Sequence, residues 1–139
     1  MNAEEQILSI DERRALGARM KEEAAERSEQ RKQARLQMKA DLALWIEEYD
    51  LRFTYIHSEE NQSVGGATIA WARHQGAYPN FKLIKVSIAW CTPTESFDKT
   101  LGRWVAAKAF IEGHWTNMRI NDARSHVSSQ LQSVFQYQV

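Results

Sequence analysis

The sequence predicts an α+β domain: a long N-terminal helix, a three-stranded antiparallel meander, and two C-terminal helices packed on the sheet. Three observations carry this. Residues 9–50 hold no proline, one glycine (Gly17), and a dense mixture of Ala, Glu, Lys, Arg and Gln, all strong helix formers. Within residues 51–90, three segments then alternate apolar with smaller or polar side chains, as half-buried strands do. Beyond residue 92 the apolar spacing returns to three and four, and strands followed by helices give an α+β order. At 139 residues the chain can support one moderate core. One domain is therefore expected over 1–139, with 9–50 a charged helix projecting from a core formed by 51–139.

Local signals justify each element. "SIDE" is a capping box, in which Ser9 accepts from the Glu12 amide while the Glu12 side chain reaches back to the Ser9 amide. The helix it opens should run from about Ile10 to Tyr49. From Ala34 onward, Met38, Leu42, Trp45, Ile46 and Tyr49 recur at helical spacing, so this half should dock on a core. From Glu12 to Lys32 the apolar residues thin to Leu16, Met20 and small alanines, so that half should face solvent or another chain. A protruding helix is hard to stabilise alone, which argues for a partner or a homo-oligomer formed through it.

In the first strand Leu51, Phe53 and Tyr55 alternate with Arg52 and Thr54. A polar loop, "HSEENQSVGG", leads to Ala67, Ile69 and Trp71, and "HQGAYPN" reads as a hairpin loop. In the third strand Ile84, Val86, Ile88 and Trp90 share a face opposite Lys85 and Ser87, the pattern of a sheet covered on one side. "TPTE" is a second capping box, with Thr92 as cap and Pro93 at the first helical position. Phe97, Leu101, Trp104, Val105, Lys108 and Ile111 lie near one face of that helix, and Gly113 stops it. A last short helix should begin near Asn121 or Asp122 and bury Val127, Leu131 and Val134.

Composition narrows the function. Eighteen basic residues balance eighteen acidic ones, so no overall field steers the chain toward DNA or a membrane, and nucleic-acid affinity would need a local patch. A single cysteine, Cys91, excludes an internal disulfide framework and fits a reducing compartment. The acidic start and the short Ile7-Leu8 pair do not make a signal peptide, and no stretch approaches the roughly 18 apolar residues of a membrane span. A cytoplasmic protein is expected.

Few residues suggest chemistry. His57, His74, His114 and His126 are scattered, and one cysteine cannot complete a zinc set, so neither metal nor cofactor is expected. Cys91 ends a strand just before a capped helix, whose dipole would lower a thiol pKa; the alternative is a small apolar residue closing the strand. Glu59 and Glu60 are adjacent carboxylates in a polar loop, either an acid–base pair or simply solvated. "SVGG" lacks the spacing of a phosphate loop.

Two features stand out. Arg27, Arg31, Arg35 and Lys39 follow at four-residue steps with Lys32 beside them, although like charges so spaced repel by about 0.2–0.5 kcal/mol per pair. The ridge reads as a site for an acidic partner, or as a solvated face offset by Glu23, Glu26 and Glu29. The second feature is Gly102-Arg103. A glycine inside a helix costs about 1 kcal/mol relative to alanine, which is understandable where a backbone or ligand approaches closely. Arg103 then presents a planar fork suited to phosphate or carboxylate, or reaches to water over a tight helix–sheet contact.

The run "KVSIAWCTPTESFDKTLGRWVAAKA", Lys85 to Ala109, resembles a segment of small accessory proteins of bacteriophages and mobile elements. Proteins of this look include anti-Thoeris sponges, which sequester a signalling nucleotide with arginines of that helix. Where that pattern has a second arginine, this chain has Ala109, with Lys108 beside it.

The leading expectation is a non-enzymatic, phage-type inhibitor of a host antiviral system. It would bind a host defence protein or nucleoprotein complex through Arg27, Arg31, Lys32, Arg35 and Lys39, as small anti-CRISPR proteins do. The resemblance implies a second possibility, an oligomeric nucleotide sponge holding phosphate and base with Arg103, Trp104 and Lys108. The third is a small hydrolase or transferase using Cys91 or a histidine.

Overall fold

The Ser9–Glu12 capping box forms as expected: the Glu12 amide donates to Ser9 Oγ at 3.1 Å and the Ser9 amide to Glu12 Oε2 at 3.4 Å. It opens α1 (Ile10–Tyr49) in a computed structural model that describes residues 9–73 and 83–139. The chain divides into two units, Met1–Gln37 and Met38–Val139, with the boundary inside α1. In the first unit every described side chain, from Ser9 to Gln37, is exposed, including Leu16 and Met20.

The second unit begins with the docking half of the helix. Leu42 is buried, and Trp45 and Ile46 pack beside it as their spacing required. The helix closes at Asp50, which takes a left-handed conformation while the Leu51 amide donates back to the Ile46 carbonyl at 3.1 Å. Four strands follow, where the sequence suggested three: β1 (Arg52–Ile56), β2 (Val64–Arg73), β3 (Leu83–Ser96) and β4 (Thr116–Arg119). All pairs are antiparallel and neighbours in the sheet are neighbours in sequence. β4 pairs with Leu83–Val86; its "TNMR" half-buries only Met118 and so has no alternating signal. The "HQGAYPN" loop and His74 lie outside the described residues.

Three further expectations are corrected. β3 continues through Thr92–Glu95, so Thr92 does not cap a helix; α2 (Lys99–Ile111) starts seven residues later, with Asp98 as its cap, accepting from the Leu101 amide at 3.1 Å. The face that α2 buries is Ala106, Ala107 and Phe110, whereas Leu101 and Val105 are exposed. Val134, near the end of α3 (Ile120–Phe135), is 63% exposed, while Val127 and Leu131 are fully buried as their spacing predicted.

The sheet is covered on both faces rather than one. Against α3 lie Ile56, Ala67, Ile69, Ile84 and Val86, a core completed by Ala123, Val127, Leu131 and Tyr137. Against α2 and the docking half of α1 lie Phe53, Ala70, Ala72 and Ala89. The small residues that read as a solvated strand face are the ones that let a helix come close.

Candidate functional site

On the α2 face, Gly102 shows what the close approach requires. A Cβ there would come within 3.0 Å of Thr68 Oγ1 and 3.3 Å from Thr68 Cβ, so the glycine exists to seat the helix on the sheet. Thr68 is itself buried, and its hydroxyl has no hydrogen-bond partner among the described residues.

Arg103, next in the chain, is half-buried and turned onto β1. Its guanidinium lies 5.3 Å from the Phe53 ring centre and 5.6 Å from that of Tyr55, and its Nε–H donates to the Tyr55 hydroxyl. Lys99, one turn earlier, stands 4.9 Å over the same tyrosine. Trp104 faces another way: its ring packs 6.3 Å from Trp45 and its Nε1–H donates to Asp41 at 3.5 Å. Lys108 covers that indole at 4.9 Å. Trp104 and Lys108 therefore adjoin each other, while Arg103 serves a separate aromatic group made of Phe53, Tyr55, His57 and Phe97. No sequence spacing announced that group, because its members come from β1, the following turn and the β3–α2 junction.

A cleft of about 190 Å³ lies between β3 and α2, lined by Thr68, Cys91, Glu95, Phe97, Leu101 and Val105 among others. Cys91 is half-buried there, its thiol directed at the carbonyls of Glu95 and Ser96 at 3.5 and 3.8 Å. Burial pushes the thiol pKa up, a hydrogen bond from the Gly65 backbone opposes this, and the Glu95 carboxylate raises it further. The result is a protonated thiol at neutral pH, opposite in sense to an activated nucleophile. Glu95 itself accepts from the Thr92 hydroxyl at 2.7 Å.

The Tyr137 hydroxyl is also raised, first by burial. Both groups bind their protons more tightly folded than unfolded. Their contribution to stability is thus complete below the unfolded values and is lost as pH rises through the folded ones. Thermal melts are expected to show a falling midpoint above about pH 8.5, where an exposed thiol begins to ionise. The fall should be shallower in Cys91→Ala, and a flat profile to pH 10.5 would contradict this reading.

The remaining candidates stand apart. Glu59 and Glu60 are exposed; their amides donate to the Gln138 carbonyl and to Ser58 Oγ. His114 and His126 are exposed, and His57 stacks on Tyr55 and meets Phe97 edge-on at 4.6 Å. Among the described residues no three His, Cys, Asp or Glu side chains gather as a metal site, and no helix is long and apolar enough to cross a membrane.

In the first unit Arg27, Arg31, Lys32 and Arg35 are all exposed; Lys39, exposed too, belongs to the second. Helical geometry adds a pattern that the four-residue spacing alone did not bring out. At about 100° per residue, Arg13, Arg14, Lys21, Arg27, Arg31, Lys32 and Arg35 fall within about 140° of the circumference. Asp11, Glu12, Glu22, Glu23, Glu26 and Glu29 fall within about 120° on the other side, with Arg19 alone out of place. This half of the helix therefore carries one basic and one acidic face. No protein family, curated protein or solved structure matches the chain.

Proposed function

We propose that this chain acts by binding rather than by catalysis, with the basic face of residues 9–37 engaging an acidic surface of a host defence protein or nucleoprotein complex. The observation that carries this reading is a helical stretch with every described side chain exposed and its charges sorted by sign. A helix that only needed to persist in water would gain from alternating signs at four-residue spacing, whereas Arg27, Arg31 and Arg35 repel along one ridge. Sorted charge makes sense against an opposing field, where it sets orientation and speeds encounter. The counter-defence setting is part of the same proposal and rests on the likeness at Lys85–Ala109. The packing of Arg103 on Phe53 and Tyr55, and the protonated Cys91, weigh toward this reading over a nucleotide sponge or a thiol enzyme.

The test uses the full chain as bait in infected host cells, followed by titration of the purified captured partner. Arg27→Glu with Arg31→Glu is expected to weaken binding at least about tenfold, equivalent to roughly 1.4 kcal/mol, and to flatten its salt dependence. Unchanged affinity in a folded double variant would overturn the assignment of the surface.

A further inference from the structure

The outer edge of β3 is only partly covered. β4 pairs with Leu83–Val86, whereas Ile88–Cys91 pairs with β2 on one side and, among the described residues, with no strand on the other. That segment, Ile-Ala-Trp-Cys, itself carries no charge or proline, whereas Pro93 and Glu95, farther along the same strand, guard the rest of the edge and confine pairing to it. Apolar side chains flank it on both faces of the sheet. Trp90, 40% exposed, shares the α2 cleft with Leu101 and Val105, which are 43% and 40% exposed. On the α3 side it shares a second hollow with Val134 and Phe135. Trp90 thus borders both hollows, whose linings also hold Glu95, Ser96, Asp98 and Gln130, and links their apolar groups into a band at an unpaired strand edge.

This band is complementary to itself. A two-fold axis normal to the sheet and passing beside Trp90 keeps each face on its own side, so α2 would meet the second copy's α2 and α3 its α3. Antiparallel pairing centred on Trp90 sets Ala89 opposite the second copy's Cys91. On α2, Asp98, Leu101, Val105 and Lys108 fall within about 80° of one face. An antiparallel α2 pair centred between Leu101 and Val105 sets those two against each other, and places the Asp98 carboxylate, at the positive helix start, near the second copy's Lys108. The two contacts are close enough to share one axis, since Leu101 and Val105 line the same cleft as Trp90. Opposite charges meet, apolar groups meet on both faces, and the open backbone finds a strand.

We propose that the chain forms a two-fold dimer through the Ile88–Cys91 edge of β3 and the Leu101/Val105 face of α2, joining two four-stranded sheets into one. This assignment does not depend on the basic face of residues 9–37, and it places self-association in the second unit rather than in the N-terminal helix.

Sedimentation equilibrium of the full chain at ten to one hundred micromolar tests it, alongside Val105→Arg and Lys108→Glu, both at exposed positions. The wild type is expected to be dimeric. Val105→Arg should raise the dimer dissociation constant at least about tenfold with an unchanged far-ultraviolet spectrum, and Lys108→Glu should raise it by less. If Val105→Arg does not fold, the loss in Lys108→Glu decides. A wild-type monomer throughout this range would overturn the proposal and leave the edge for a strand of another protein. A dimer indifferent to both substitutions but dissociated by Arg27→Glu with Arg31→Glu would overturn it too, moving the contact to the helix.

Discussion

Gly66→Ala is expected to destabilise the protein by about 3–5 kcal/mol, from a strained backbone and a clash that cannot relax. Gly66 sits at φ +101°, outside the region open to residues with a side chain. A Cβ added there would come within 3.0 Å of the Ile56 carbonyl oxygen, a backbone atom fixed in β1, itself paired to β2. The register of β2 on β3 shifts at this point, with Val64 opposite Ser96 but Gly66 opposite Cys91. The irregularity lets β3 carry four residues, Thr92–Glu95, where β2 carries only Gly65, and so brings Asp98 to the start of α2. Chemical denaturation should show a lower midpoint with an unchanged slope. A loss under about 1 kcal/mol would mean that β1 can shift to make room for the methyl group.

What the sequence announced, and what it concealed, follows from the kind of signal each element carries. The capping box at Ser9, the docking face at Leu42 and Trp45, and the Val127/Leu131 stripe were legible because local hydrogen bonding and three-to-four spacing encode them directly. The second covered face was not. Thr68, Ala70, Ala72, Ser87 and Ala89 are small or polar, and small residues mark either solvent or a very close neighbour. Only the third dimension tells these apart. Gly102 held the clue, since a glycine in a helix implied a close approach, and Thr68 is what approaches. The second capping box failed for a related reason. Thr92 and Glu95 do hydrogen bond, but side chain to side chain along a strand irregularity that only the Gly65-Gly66 pair hinted at. Candidate residues split the same way. The basic ridge is local and could be read at once, whereas the surroundings of Arg103 are assembled from residues some fifty positions earlier in the chain.

Tyr137→Ala is expected to cost about 3–5 kcal/mol, comparable to removing any large core aromatic, although the residue lies beyond the last helix. Gln136, in a left-handed conformation at the end of α3, turns the chain, and the Tyr137 amide donates to the Leu131 carbonyl at 3.3 Å. The ring thereby returns to the core of Ile56, Ile69, Val127 and Leu131, 6.0 Å from Phe135. Its hydroxyl donates to the Cys91 carbonyl at 2.5 Å, at the strand irregularity itself, and lies against Gly65. One side chain therefore links the end of α3 to the β2–β3 irregularity that positions α2 on the opposite face. Tyr137→Phe separates the two contributions: it keeps the ring and loses one hydrogen bond, for about 0.5–1.5 kcal/mol. The ordering Ala well above Phe, read from denaturation midpoints, is the check. Equal losses would assign the stability to the hydroxyl, and a negligible loss in Ala would mean that the core closes without this residue.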